Sequence, residues 1–289
     1  MDLSKIGVFS FLDGLAGVQT GPFARKIERL GYSALWFPEV MGRESLSFAS
    51  HLLGQTETLA VATGIAVVFS YEPVAVANAA RTLGELFEDR FILGLGVSGK
   101  GGNTMRGVAY EKPYSFMKDY LAQMKAAPYL APKPKHEPPI LLAGLLPKMV
   151  QLAAAETQGS HTYLTTVEQT AHVRALLGPQ PWLCAEQGVM LETDPAKARS
   201  AVRQYLKTYL PIAHYVKRLK TVGFHDEDFA NGGSDRLLDA IVAWGNEDVL
   251  RERIAAQFKA GATHVCILPL SPEGGLVPDE RVLEALTPR

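Results

Sequence analysis

Few residues in this sequence combine a reactive type with a setting that suits chemistry. Glu39 directly follows the apolar run Ser33-Ala34-Leu35-Trp36-Phe37 and Pro38. A carboxylate there can serve as acid, base or hydrogen-bond partner of a ring, and a solvated loop glutamate is the plain alternative. Two segments suit an anion: Ala143-Gly144, which runs into a helix starting near Pro147, and Thr165-Thr166, which precedes one starting at Val167. The first turn of a helix presents free N–H groups and the positive end of its dipole. Each segment also reads as an ordinary turn, with Thr166 an N-cap. In Gly94-Leu95-Gly96-Val97-Ser98-Gly99, glycines interrupt an apolar strand. They either clear space for a flat ring or allow close packing. Glu186 and Gln187 sit mid-strand and read as a buried polar network. Histidines 51, 161, 172, 214, 225 and 264 show no metal-binding spacing, and no metal site is expected. No Gly-x-Ser-x-Gly elbow or Walker loop occurs. What remains is a site of glycines, aromatics and aliphatics, suited to holding a cofactor that carries the chemistry.

These residues need a frame. Strands are predicted over 6–11, 33–37, 59–67, 91–96, 140–143, 161–164, 182–191 and 264–268. Helices alternate with them, including 21–30, 73–87, 195–222, 235–244 and 248–260, while 98–107 reads as a glycine-rich loop. Strands joined by helices are parallel, and eight such units form an α/β (β/α)8 barrel. An open doubly wound sheet is the alternative, although the Gly-x-Gly-x-x-Gly turn after its first strand is missing. The stretch 193–233 is a helical insertion, and residues 1–289 make one domain of a size that suits a barrel. Barrel sites lie in the loops after the strands. That places Ser10, Glu39, Thr63, Gly64, Ile65, Gly96, Ser98, Ala143, Gly144, Thr165 and Thr166 on one face. His161, read as the start of its strand, falls toward the opposite end.

The chain of 289 residues carries a formal net charge of -1, which gives no electrostatic case for nucleic acid or an anionic membrane as partner. Its two cysteines, Cys184 and Cys266, lie in apolar strands and read as buried, reduced thiols. The first residues lack a signal-peptide pattern, and no apolar run approaches the length of a membrane span, so a cytoplasmic protein with a small-molecule substrate is expected.

Taken together, Tyr32-Ser33-Ala34-Leu35-Trp36-Phe37-Pro38-Glu39, Ala62-Thr63-Gly64-Ile65, Pro73 with Arg81-Thr82-Leu83, and Asp89-Arg90-Phe91-Ile92-Leu93-Gly94-Leu95-Gly96 resemble the bacterial luciferase-like superfamily. Gly233-Ser234-Asp235-Arg236-Leu237, Ala243-Trp244-Gly245 and Ala260-Gly261-Ala262-Thr263-His264-Val265 extend the likeness over nearly the whole chain. It looks closest to the actinobacterial branch that uses the deazaflavin coenzyme F(420) in place of FMN. The resemblance implies an oxidoreductase, commonly a homodimer, that moves a hydride between F(420) and a small organic substrate. An FMNH2-dependent monooxygenase and a barrel that only binds a flavin or deazaflavin are the alternatives. It further implies a non-proline cis peptide at Gly64-Ile65 supporting the ring, an acidic group near the ring at Glu39, and a phosphate at Ala143-Gly144 and Thr165-Thr166. Relatives often carry histidine where this chain has Val40 and Gly99, which leaves the acid–base group open.

Overall fold

The computed structural model describes residues 3, 6–144 and 146–288, so Leu145, in the loop after the fifth predicted strand, lies outside the described residues. Its strands are β1 (Gly7–Phe9), β2 (Ala34–Phe37), β3 (Ala60–Thr63), β4 (Ala66–Val67), β5 (Phe91–Gly96), β6 (Ile140–Ala143), β7 (Gly159–Thr162), β8 (Trp182–Leu191), β9 (Val242–Gly245) and β10 (His264–Pro269). The helices are α1 (Gly17–Arg29), α2 (Ser45–Gly54), α3 (Pro73–Leu86), α4 (Lys100–Met105), α5 (Pro113–Ala126), α6 (Pro147–Glu156) and α7 (Val167–Leu177). They continue with α8 (Pro195–Leu206), α9 (Ala213–Lys220), α10 (Asp226–Phe229), α11 (Asp235–Ile241), α12 (Glu247–Lys259) and α13 (Glu280–Ala285).

Every strand pairing is parallel, in the order β10-β1-β2-β3-β5-β6-β7-β8, and β10 pairs with β8 to close the ring. The fold is therefore a (β/α)8 barrel, as the alternation of strands and helices predicts. Side chains alternate by twos along each strand. Phe9, Trp36, Ala62, Ile92, Cys184 and Cys266 fill the interior. Val8, Leu35, Val61, Leu93 and Ile267 pack outward under the helices. Both cysteines are buried and unpaired, as expected. Among the described residues no helix is long and apolar enough to cross a membrane.

Four details differ from the sequence reading. The strand predicted over 59–67 breaks into β3 and β4 around the Gly64-Ile65 peptide. The helix predicted over 235–244 ends at Ile241, and Val242–Gly245 becomes β9, which pairs with the last residues of β8 beyond the end of β7. The helix predicted over 195–222 is two helices, α8 and α9. The glycine-rich loop contains the short helix α4, held by Asn103, whose side chain donates to the carbonyls of Val97 and Gly99.

Candidate functional site

The end of β3 organises the barrel mouth. The Gly64-Ile65 peptide is cis. Gly64 N–H donates to the Phe37 carbonyl at 2.7 Å, and the Ile65 carbonyl accepts from Glu39 N–H at 3.2 Å. The bulge is thus tied by backbone bonds to the end of β2. Gly64 leaves no room for a side chain on its inner face: a Cβ would stand 2.8 Å from Phe9 Cε2 and 3.3 Å from His161 Nε2. Thr63 spends its hydroxyl on β5, donating to the Gly94 carbonyl at 2.8 Å and accepting from Gly94 N–H at 2.9 Å.

That packing decides the two readings of the β5 glycines. A Cβ at Gly94 would overlap the Thr63 carbonyl oxygen, and one at Gly96 would stand 2.8 Å from the Ile65 side chain. Both glycines let the bulge of β3 and β4 lie close on β5. Ser98, just beyond, has a positive φ of 56° and remains partly exposed at the mouth.

Glu39 is not a solvated loop residue. Its side chain is 9% exposed. Oε2 accepts from Tyr71 Oη at 2.6 Å and from Ser45 Oγ at 2.8 Å. Burial and the hydrogen bond to Glu39 push the Tyr71 phenol far above its ordinary pKa, so it stays a donor. The other oxygen, Oε1, lies 3.9 Å from Arg106 Nη2, and Arg106 also donates to the Val40 carbonyl. The carboxylate is held in one orientation, with the α4 end of the glycine-rich segment bound beside it.

The two anion-suited loops sit side by side after β6 and β7. Among the described residues no side chain caps α6 at Leu146; Pro147 opens it without an N–H, and Met149 N–H bonds the Leu146 carbonyl at 3.0 Å. Gly144 lies against this turn, where a Cβ would stand 3.2 Å from Val150 N. Thr166 caps α7 by accepting from Gln169 N–H at 3.3 Å, and both polar atoms of the buried Gln169 amide lack a partner among the described residues. Thr165 accepts from the buried Arg218 at 3.3 Å, and Arg218 also donates to the carbonyls of Tyr163 and Leu164. Burial lowers the Arg218 pKa to about 10, which leaves it charged at neutral pH. A cation from α9 thus stands behind the Thr165-Thr166 turn. Ser10 is buried, and its hydroxyl has no partner among the described residues.

Two buried groups lie beneath the mouth: His161, which the sequence reading puts at the opposite end, and Glu186, which it reads as part of a buried polar network. His161 is not at the far end. It lies one turn of the pleat below the loop, its ring 4.7 Å from that of Trp36 and directly under Gly64. Nδ1 is 3.1 Å from the Cys184 carbonyl, and Nε2 has no partner among the described residues. Burial lowers its pKa to about 4, so it is neutral at neutral pH. Glu186 points inward from β8 and accepts from Leu164 N–H at 2.7 Å. Burial raises its pKa to about 7, against the lowering influence of that hydrogen bond and of Arg218. Gln187 faces the other way and joins the expected polar network, receiving a hydrogen bond from Gln257 at 2.8 Å, while Gln257 accepts from Thr170 at 2.6 Å.

Above His161 the mouth is walled by rings. Phe9 and Tyr163 lie 5.3 Å apart, and Tyr163 meets Tyr209 and Tyr215 from the insertion at 5.6 and 6.5 Å. The phenol of Tyr163 is 2.6 Å from that of Tyr205 and 2.7 Å from that of Tyr209. The arrangement offers a flat ring a backing at the bulge, with the Thr165-Thr166 turn and the aromatic wall gathered around Arg218 at the end of β7.

Known proteins share this frame. The family described as luciferase-like monooxygenase matches residues 17–264. The structure titled an F(420)-dependent secondary alcohol dehydrogenase in complex with an F(420)-acetone adduct superposes with a TM-score of 0.80 at 15% identity, covering 99% of this chain and 98% of that one. The coenzyme F(420)-dependent tetrahydromethanopterin reductase of Methanopyrus kandleri gives 0.73 at 15%, over 99% and 98%. The FMN-complexed oxygenating constituent of 3,6-diketocamphane monooxygenase from Pseudomonas putida also gives 0.73 at 15%, over 98% and 96%.

Proposed function

This chain belongs to the luciferase-like monooxygenase family and is an enzyme of the oxidoreductase class, and from that premise we propose that it transfers a hydride between the deazaflavin coenzyme F(420) and a small organic substrate. The observation that carries the reading is the mouth itself: the β3–β4 bulge seated on β5 beside a carboxylate fixed by Tyr71 and Ser45, with the buried Arg218 behind the Thr165-Thr166 turn on the same face. A deazaflavin bound there supplies two-electron hydride chemistry. In this reading Gly64 and Ile65 back the ring, Gly96 and Ser98 border it, and Glu39 contacts its edge. Ala143, Gly144, Thr165 and Thr166 receive the phosphate with backbone N–H groups, and Ser10 supplies a free hydroxyl from the end of β1. The likeness to the F(420)-adduct dehydrogenase supports the choice of cofactor.

Titration of the purified apoprotein with F(420) and, separately, with FMN tests the proposal through quenching of the protein's fluorescence. Saturable F(420) binding is expected. Tight FMN binding without F(420) binding would overturn it and favour a monooxygenase using FMNH2. Turnover by Glu39→Gln tests the acid: strong loss is expected, and full activity would remove Glu39 from the chemistry. We also propose a homodimer in the cytoplasm, for which sedimentation at twice the chain mass is the check.

A further inference from the structure

The carboxylate at the mouth is joined to a second one at the surface. Tyr71 lies in the loop between β4 and α3, and its Oη stands 2.6 Å from Glu39 Oε2 and 2.9 Å from Glu44 Oε1. A phenol has one proton, so it donates to only one of these oxygens at a time. Ser45, the first residue of α2, serves the Glu39 side: its hydroxyl lies 2.8 Å from Glu39 Oε2 and 3.1 Å from Tyr71 Oη. The two carboxylates differ in access, since Glu39 is nearly covered and Glu44 is exposed. Glu44 is nevertheless fixed. As N-cap of α2 it accepts from Leu46 N–H and Ser47 N–H, each at 2.7 Å. Partial burial raises its pKa, but the bonds from Ser47, Leu46 and Tyr71 outweigh burial, so the net shift is downward and Glu44 is an acceptor at neutral pH. With Glu39 ionised, Tyr71 donates to it and the contact with Glu44 holds no hydrogen. With a proton on Glu39 Oε2, that proton points at Tyr71 and the phenol turns its own to Glu44. The same heavy-atom positions serve both states.

We propose that Tyr71 and Glu44 form a relay that carries protons between Glu39 and bulk water. The inference rests on the reading of Glu39 as the acid of the site. In one passage the O–H bond at Glu39 Oε2 breaks as one forms at Tyr71 Oη. The phenol's own O–H bond breaks as one forms at Glu44 Oε1, and Glu44 yields that proton to water. One proton crosses, both carboxylates end ionised, and no group is oxidised or reduced. The reverse sequence recharges Glu39. Burial, followed by the hydrogen bond to Glu39, holds the Tyr71 phenol far above its ordinary pKa, so Tyr71 does not pause as a phenolate and its two transfers are concerted. The other groups facing Glu39 stand off the path. Arg106, at the end of α4, lies 3.9 Å from Oε1, the oxygen outside the relay, and favours return of the charged form. Tyr120 of α5 is kept protonated by burial first and then by the charges of Glu72 and Glu39.

The test is a light-triggered pH jump on the full-length apoprotein, followed by infrared absorption of the Glu39 carboxyl, whose band is the one absent from Glu39→Gln. Protonation of Glu39 should slow by about tenfold or more in Tyr71→Phe and in Glu44→Gln. Glu44→Gln keeps a side-chain oxygen to cap α2, so it answers the question even where Tyr71→Phe disturbs the loop. Tyr120→Phe removes a hydroxyl facing Glu39 from outside the path and should leave the rate within about twofold of wild type. A merely structural role for Tyr71 would change the pH at which the band appears and leave its rate of appearance alone. Unslowed protonation in Glu44→Gln or in Tyr71→Phe overturns the proposal, as does equal slowing in Tyr120→Phe. The F(420) titration above is independent of this readout: absence of F(420) binding with the relay kinetics intact would sink the hydride-transfer reading and leave the relay standing.

Discussion

Glu186 and His161 lie on neighbouring strands under the site and are titrated in opposite directions by the same cause. Burial disfavours charge, so the carboxyl rises from 4.5 to about 7 and the imidazole falls from 6.5 to about 4. A raised carboxyl pKa means that folding favours its protonated form. The stability it contributes is present below about pH 4.5 and is lost as pH rises to about 7. The lowered imidazole pKa has the reverse sense: its contribution is present above pH 6.5 and is lost as pH falls toward 4. Glu186→Gln removes the first dependence. Relative to wild type, this variant should gain up to about 3 kcal/mol between pH 4.5 and 7, read from urea denaturation at each pH. A constant difference across that window would place Glu186 at its ordinary pKa. His161 also marks a limit of sequence reading. Glu39 and Gly64 follow strands directly, so their place at the mouth is legible from strand order. Whether His161 points up under the bulge depends on a strand boundary shifted by two residues, since β7 starts at Gly159.

Elements become functional here through close approach. The bulge of β3 and β4 lies on β5 because Gly94 and Gly96 lack side chains. Gly96→Ala should push the Ile65 side chain and the bulge with it, lowering F(420) affinity about tenfold in the same fluorescence titration, with the barrel still folded by circular dichroism. Gly101→Ala is the matched control. It lies in α4, where a Cβ meets nothing within 4 Å, and the change should leave affinity intact while favouring the helix by up to about 1 kcal/mol. Equal losses in both variants would show that backbone flexibility, rather than the seat of the bulge, is what matters. The same contrast explains which elements the sequence reveals. Continuous apolar runs announce the barrel strands. The helix α4 hides in Lys-Gly-Gly-Asn-Thr-Met, whose glycines are poor helix formers and whose fold depends on the Asn103 side chain. β9 hides because Leu237, Leu238 and Ile241 set a helical spacing that Val242–Gly245 briefly continues, and four residues are too few to betray a change of period.

At the scale of the whole molecule, the question is whether the insertion over 193–233 is an appendage or part of the barrel. Its bonds argue for the latter. Arg218 holds three acceptors at the end of β7, and Tyr205 and Tyr209 bond the phenol of Tyr163. At the other end, Arg199 of α8 pairs with Asp239 of α11 at 2.6 Å and lies over the Trp244 ring of β9. The insertion is thus anchored to both β7 and β9, and it could not detach without exposing the aromatic wall. We therefore expect one cooperative urea transition for residues 1–289, with far-ultraviolet circular dichroism and tryptophan fluorescence superimposing. Trp36 reports the barrel interior and Trp244 the anchored corner, so the fluorescence samples both. Arg218→Met leaves buried carbonyls at Tyr163 and Leu164 without a donor. It should lower stability by about 2–4 kcal/mol while keeping a single transition. If instead the tryptophan signal of wild type or variant splits into two steps, the insertion unfolds on its own, and the single-domain reading fails along with the claim that the barrel and its late helices make one site.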